Sequence, residues 1–393
     1  MRFGIKTLGC KMNQLDSARV AASFSAAGWR EVEPEQAEIV LVNSCTVTAS
    51  AEKKSLTEAK KFARAGKQVV VFGCSPRVNR KFWPKEFEVF ENEKKLLAAF
   101  KIKPVENFLP QKRTRIPIAI QTGCDCGCTF CLTKIARGPS HNFPVKEILA
   151  NIQAAEKVGA HEIVLTGINL AAFGCSNSNR PEESKLAELL ETILAETKIE
   201  RIRLSSLDPQ FLDKRFFKAF ANPRICEYLH LSVQSGSDKI LKKMGRHYSR
   251  EKILRITKQA KKTRPNVALA ADLIVGFPGE TEKDFTETIN LVREVGFAKL
   301  HVFPFSARHG TPAAKFPEQI ETKVKKNRAV KLRQIGTELR RKFIEQNLGR
   351  ELMILVEADE TGLSTNFIRV KTPTQKINSI HKIELAEFAI CDF

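Results

Sequence analysis

Four cysteines crowd into the stretch Gly123-Cys124-Asp125-Cys126-Gly127-Cys128-Thr129-Phe130-Cys131, directly after the short apolar segment Ile118 to Ile120. Thiols two residues apart strain a disulfide, so the usable spacing is Cys124-x3-Cys128-x2-Cys131. A tetrahedral zinc site normally draws its ligands as two separated pairs, whereas soft thiolates packed into one loop suit an iron–sulfur cluster. Three thiolates would leave one iron of such a cluster open. On spacing alone, zinc and unligated core cysteines remain the alternatives.

Three more cysteines share a different regularity. Residues 1 to 80 alternate short apolar runs with helical periodicity, the pattern of a small parallel α/β unit. Strands are expected at Phe3 to Leu8, Ile39 to Val42 and Val69 to Phe72, and each run leads into a cysteine: Gly9-Cys10, Ser44-Cys45 and Gly73-Cys74. Amphipathic helices are expected between them, from Asn13 to Ala27 and Ala51 to Ala65, with Lys53, Lys54, Lys60 and Lys61 on polar faces. Parallel strands present their carboxyl ends along one edge, where open α/β sheets bind ligands. Three thiols would converge there as a second cluster site; the alternative is three small buried hydrophobes. Cys175 and Cys226 read as structural and Cys391 as incidental.

The elements that must position the four-cysteine loop follow it. Residues 103 to 115 read as a linker, with a domain boundary near Gln111. Strand-like runs then recur at Ile116 to Ile120, Glu162 to Leu165, Ile202 to Leu204, Tyr228 to Val233, Val267 to Val275 and Lys299 to Phe305. Pro117 weakens the first unless that strand lies on an edge. Helical segments such as Val145 to Val158, Lys185 to Thr197, Arg250 to Lys262 and Glu282 to Val295 separate them. Six strand–helix units make a partial parallel barrel the expected architecture, with a flat doubly wound sheet as the alternative. Barrel sites are built from the loops after the strands, and Cys124 to Cys131 follows the first one.

The other strand ends carry small and polar residues. Thr166-Gly167-Ile168-Asn169, Ser205-Ser206-Leu207-Asp208-Pro209, Gln234-Ser235-Gly236-Ser237 and Gly276-Phe277-Pro278-Gly279-Glu280 occur at equivalent places. Together they suggest a polar pocket rim for a small molecule, with Gly167, Asn169, Ser205, Gln234 and Glu280 as its candidates. Arg203 either answers a carboxylate there or caps its strand. Farther on, Glu321 to Arg350 reads as a long helix with ten Lys or Arg against three Glu, striped by Leu332, Ile335, Leu339 and Phe343. Runs at Leu352 to Val356, Phe367 to Val370 and Ile380 to Leu385 suggest a small β module.

The totals set outer limits. The 393 residues are too long for one ordinary core, and 65 Lys and Arg against 44 Asp and Glu leave a formal charge of +21. Such a chain attracts polyanions, with nucleic acid the favoured partner and a merely soluble basic protein the alternative. Ten cysteines are too sparse for a secreted disulfide scaffold, and no apolar run approaches the roughly 18 to 20 residues that span a bilayer. The start, Met1 to Lys6, lacks a signal-peptide core. No membrane association and a cytoplasmic location are expected.

These residues carry a resemblance. Cys124-x3-Cys128-x2-Cys131, with Phe130 before the last cysteine, resembles the cluster loop of radical S-adenosylmethionine enzymes. Thr7-Leu8-Gly9-Cys10-Lys11-Met12-Asn13-Gln14, Asn43-Ser44-Cys45-Thr46-Val47-Thr48, Gly73-Cys74, His230-Leu231-Ser232-Val233-Gln234-Ser235-Gly236-Ser237 and Asp272 to Thr281 resemble the methylthiotransferases among them. Leu8 to Lys11 and Cys45 to Thr48 are most similar to the branch acting on N6-threonylcarbamoyladenosine in transfer RNA. The resemblance implies an α/β chain in three parts: an N-terminal domain over residues 1–110, a radical S-adenosylmethionine core forming a partial (β/α)6 barrel with its basic helix over 111–345, and a short TRAM-like all-β module over 346–393.

It also implies the chemistry and its setting. S-adenosylmethionine and two [4Fe-4S] clusters are the expected cofactors, one cluster on Cys124, Cys128 and Cys131 and the other on Cys10, Cys45 and Cys74. Phe130 joins the rim residues and Arg203 as cofactor contacts. The expected partners are a tRNA anticodon loop and an electron donor such as flavodoxin or ferredoxin, for a monomer. Isopentenyl-adenosine in tRNA, an aspartate of a ribosomal protein, and a non-catalytic iron–sulfur RNA-binding redox sensor are the alternatives. Two departures from the family pattern stand out: Cys126 is an extra thiol in the loop, and Ser75-Pro76-Arg77 follows Cys74 in place of the family's Ala-Gln.

Overall fold

The structure, a computed structural model, describes residues 1–105, 114–176 and 180–391, so the expected boundary near Gln111 lies outside the described residues. The N-terminal part is a parallel sheet in which β1 (Arg2–Thr7), β2 (Ile39–Ser44) and β3 (Gln68–Gly73) lie side by side between the short edge strands Arg30–Glu31 and Glu88–Val89. Every residue of β2 is buried, as a central strand covered on both faces requires. Helix Lys11–Ala26 covers one face through Val20 and Phe24, and helix Ala49–Arg64 covers the other through Ala59 and Phe62. Thr7 pairs with Asn43 and Ser44 with Gly73, so all three strands end level.

The central part has six parallel strands in chain order. One sheet holds β4 (Arg115–Ala119), β5 (Glu162–Thr166) and β6 (Arg201–Leu204), and a second holds β7 (Tyr228–Gln234), β8 (Ala268–Val275) and β9 (Lys299–Pro304). Parallel bridges Ile202–Ile225 and Leu207–Leu231 join the two sheets. This is the open six-stranded barrel expected from the sequence, and its strictly sequential order leaves no switch point of a doubly wound sheet. Pro117 sits on β4, which pairs only with β5 and so needs no amide on its free side. The basic helix, Thr322–Glu345, is shorter at its end than expected and buries Ala329, Leu332 and Ile335 against the barrel.

The C-terminal module is an antiparallel sheet of β10 (Glu351–Val356), β11 (Thr361–Ser364), β12 (Arg369–Lys371) and β13 (Ile380–Glu384). Strand β11 was not expected, and Phe367 is not in a strand. With φ at +69°, Phe367 turns out of the module and stacks on Tyr228 at 4.3 Å between ring centroids. The module therefore covers the amino ends of the barrel strands, opposite the four-cysteine loop.

Its anchor corrects the reading of Arg203. Fully buried Glu162 at the start of β5 binds Arg203 at 2.7 Å and Arg201 at 2.8 Å, while Arg203 also donates to the carbonyl of Ser364 and Arg201 to that of Leu363. Arg203 thus answers a carboxylate at the closed end of the barrel and contributes nothing to the rim. Burial alone would raise the Glu162 carboxyl; Arg203 and Arg201 more than offset it and hold it below its ordinary range. Replacing Glu162 by Gln leaves two buried guanidiniums short of a charge, so Glu162→Gln should cost roughly 3–5 kcal/mol. Urea unfolding should show the loss, and hydrogen exchange should rise first across Thr361–Ser364 if this anchor holds the module.

Candidate active site

The level strand ends bring the three N-terminal thiols to one edge. Cys10 precedes helix Lys11–Ala26 as its cap, Cys45 follows β2, and Cys74 opens the short helix Cys74–Val78. Gly73 makes the last turn possible: its φ is +102°, and a Cβ there would lie 2.3 Å from Oδ1 of Asn43. Asn13 gathers the edge. Its Nδ2 reaches the carbonyls of Leu8 and Ser44 and Oδ1 of Asn43, each at 3.1 Å. Its Oδ1 accepts from the thiols of Cys10 at 3.4 Å and Cys74 at 3.7 Å. Burial pushes the Cys74 thiol up to about 11, against the pull of Arg137, and raises Cys45 as well.

The second thiol group is carried by the loop after β4. Thr129 ties that loop down, its amide donating to the carbonyl of Met244 and its hydroxyl to that of Lys243. Cys126 is hydrogen-bonded to both Cys124 and Cys128; these bonds, and then burial, push both thiols far above the ordinary range. Asn169 donates to the Cys126 sulfur at 3.4 Å. Arg246, held by Asp208 at 2.8 Å, is near Cys128 and lies over the Phe130 ring.

One cavity of about 270 Å³ joins the two groups. Cys10, Cys45 and Cys74 line it from the N-terminal sheet, and Phe130, Cys131, Ile168, Gln234, Asp272 and Phe303 line it from the barrel. Two ion pairs hold the halves together across it. Arg137, at the end of helix Thr133–Arg137, donates to Oδ1 of Asn13 at 2.7 Å and Oδ2 of Asp16 at 2.8 Å. Arg308 donates to Oε2 of Glu52 at 2.6 Å and to the hydroxyl of Thr46 at 3.0 Å.

The donors fit a thiolate-ligated cluster. Both groups consist of sulfur alone, and among the described residues no three His, Cys, Asp or Glu side chains are arranged around a single-ion position. A thiol removed from water ionises more readily beside positive charge, which Arg137 supplies to one group and Arg246 to the other.

Of the expected rim residues, Phe130 and Gln234 line this cavity; Gln234 adopts φ +64° at an irregularity in the β7 register. Asn169 instead bonds Cys126, and its amide donates to Oε1 of Gln121. Gly167 packs on Gln121, since a Cβ there would lie 3.2 Å from Oε1. Ser205 is half-buried, and its Oγ has no hydrogen-bond partner among the described residues. Glu280 does not reach the cavity. It closes its own turn, Oε2 accepting from the Gly276 amide at 2.6 Å and from Arg328 at 2.7 Å.

Asn13, Arg137, Arg308 and Asp272 escaped the sequence reading. Asn13 lies inside the Leu8 to Gln14 motif, and Asp272 was visible as the one charge in the apolar run Ala268–Val275. Oδ1 of Asp272 lies 2.9 Å from Nε2 of His230, and the His230 ring stacks on His301.

The chain matches the radical SAM superfamily over residues 118–292, and residues 2–91 match a family described as uncharacterized protein family UPF0004. Solved structures agree on the fold: the radical S-adenosylmethionine methyltransferase TsrM from Kitasatospora setae has a TM-score of 0.58 at 12% identity, covering 79% of this chain and 73% of its own. The barrel with its cysteine loop is therefore that of a radical S-adenosylmethionine enzyme, which employs S-adenosylmethionine and a [4Fe-4S] cluster.

Whole-chain relatives narrow this further. Threonylcarbamoyladenosine tRNA methylthiotransferase MtaB of Rickettsia prowazekii is 33% identical over 411 residues, covering 98% of this chain and 95% of the relative. The protein of the same name from Thermotoga maritima is 34% identical, covering 90% and 86%. A tRNA-2-methylthio-N(6)-dimethylallyladenosine synthase of Clostridium botulinum (strain Okra / Type B1) is 33% identical, covering 99% and 96%. The chain belongs to the radical S-adenosylmethionine methylthiotransferases.

Glu280 has a measurable signature. Its buried Oε1 has no hydrogen-bond partner among the described residues, and burial, partly offset by the Gly276 amide and Arg328, pushes the carboxyl up to about 7. The folded state then holds this proton where the unfolded chain has lost it. The stabilisation is full below about pH 4.5 and disappears as pH rises to about 7, about 3 kcal/mol in all. Glu280→Gln should flatten that part of the stability–pH profile; an unchanged slope would place the titration elsewhere.

Proposed function

We propose that this chain is a tRNA methylthiotransferase that adds a methylthio group to C2 of N6-threonylcarbamoyladenosine beside the anticodon, with two [4Fe-4S] clusters. The observation that carries this reading is the cavity lined by Cys10, Cys45 and Cys74 from the N-terminal sheet and by Cys131 from the barrel. Cys124, Cys128 and Cys131 would hold the barrel cluster, and Cys10, Cys45 and Cys74 the N-terminal one. When bound, S-adenosylmethionine and the clusters would supply the reactivity that removes hydrogen from C2, the sulfur that takes its place and the methyl group on that sulfur. The protein's share is placement. Arg137 and Asn13 fix the N-terminal thiols relative to the barrel, Arg246 offsets charge on the other group, and Phe130 and Gln234 wall the space where the reacting groups meet.

The formal charge of +21 favours an RNA substrate, and an adenosine in a single-stranded anticodon loop can splay into such a cavity. The threonylcarbamoyl branch is supported by Leu8 to Lys11 and Cys45 to Thr48 and by the names of two relatives. A second reading, the dimethylallyl substrate, is favoured by the equally similar Clostridium protein and by the apolar side chains Val47, Leu132, Ile168 and Ile274 on the cavity wall. A cytoplasmic monomer reduced by flavodoxin or ferredoxin completes the proposal. Among the described residues no helix is long and apolar enough to cross a membrane.

Mass spectrometry of tRNA nucleosides decides between the substrates. Expression in a strain deleted for its own enzyme should restore methylthio-threonylcarbamoyladenosine; restoration of only the dimethylallyl product would select the second reading. Replacing Cys10, Cys45 and Cys74 together should remove about half the iron bound after anaerobic reconstitution, and full retention would eliminate the N-terminal cluster.

A further inference from the structure

Two large apolar side chains stand exposed on the wall of the shared cavity, one from each half of the molecule. Phe303, near the end of β9, is 41% exposed, and Val47, in the loop after β2, is 65% exposed. Single exposed hydrophobes are ordinary on a protein surface, but two lining one cavity are a feature of a binding site.

Both are held rigidly. On β9, Val302 turns into the helix-covered core, so Phe303 and His301 share the inner face, and Phe303 lies in register with Ile274 of β8. Val47 sits between Thr46, fixed by Arg308, and Thr48, whose hydroxyl caps helix Ala49–Arg64. A fixed, exposed aromatic face at the mouth of a cavity, on a chain of charge +21, suits a base splayed from a single-stranded polyanion.

We propose that Phe303 is the platform on which the target adenine stacks as it leaves the RNA loop, with Val47 adding apolar contact from the N-terminal domain. This rests on the RNA reading above and adds the residue that receives the base. In the free protein the ring is exposed to water; in the complex the purine face covers it.

The test is a binding cycle with anaerobically reconstituted full-length protein, without S-adenosylmethionine. It uses a synthetic anticodon stem-loop with either adenosine or an abasic sugar at the target position. For the unchanged protein, loss of the base should weaken binding by roughly ten- to hundredfold, the effect of removing one stacked base. Phe303→Ala should weaken binding of the intact stem-loop by the same factor and bind the abasic one no worse than the unchanged protein does. Phe303→Tyr should keep the preference for the base. Phe303→Leu, which preserves bulk but not the ring face, stands in for the alanine variant should that fail to fold, and should lose most of the preference.

Independent, additive losses from the substitution and the abasic change would overturn the proposal. So would weakened binding of S-adenosylmethionine with unchanged binding of RNA, since the ring would then serve the cofactor. Failure of the unchanged protein to prefer the stem-loop over a hairpin of unrelated sequence would instead overturn the RNA reading itself.

Discussion

The contact on which the rest of the molecule depends is the junction of Asn13 and Arg137. Asn13 belongs to the first helix of the N-terminal sheet and Arg137 to the helix that follows the barrel's cysteine loop, 124 residues farther along the chain. One carbonyl oxygen, Oδ1 of Asn13, receives the guanidinium and faces the Cys10 and Cys74 thiols. The geometry of the N-terminal thiols is thereby referred directly to the barrel. Asn13 is buried and Arg137 largely so, and there a hydrogen bond to a charged group is strong and a lost partner is expensive. Chemistry between two separately folded groups requires a fixed distance, and flexible docking of two domains would not supply one.

The opposite end of the barrel shows the same device used for a different purpose. Glu162, Arg201 and Arg203 bind the C-terminal module, and Phe367 seals the axis against Tyr228. The barrel is thus closed below and capped above by the N-terminal sheet. Stacked His230 and His301, with Asp272, fill the space between plug and cavity.

What was legible in the sequence followed from periodicity and from local spacing. The strand ends and their cysteines could be read because parallel strands must finish on one edge whatever their order. The rim was legible only in outline. Arg203 shares a strand face with Ser205, but its long side chain reaches back to Glu162, a partner 41 residues away that no local pattern announces. Glu280 read as a ligand group because a carboxylate after Gly-Phe-Pro-Gly looks available, yet the same turn brings the Gly276 amide onto it. Strand β11, Thr361-Gly362-Leu363-Ser364, has no alternating apolar signal and exists because β10 and β12 flank it. Arg137 was invisible for a similar reason: an arginine after a cluster loop is unremarkable until Asp16 and Asn13 are placed opposite.

The two thiol groups solve one electrostatic problem in parallel. Gathering several thiols in a buried space raises the cost of ionising each, through desolvation and through the charge of its neighbours. Each group has one arginine drawn into the same buried space, Arg137 beside Cys74 and Arg246 beside Cys128, and each arginine is fixed by its own aspartate, Asp16 or Asp208. The aspartate holds the arginine in place, and the arginine partly offsets the cost of ionising the thiol beside it. Both pairs are supplied from outside the cysteine motifs, which is why spacing alone could indicate ligands without indicating how their charge is borne. Cys126 lies among them, hydrogen-bonded to Cys124, Cys128 and Asn169.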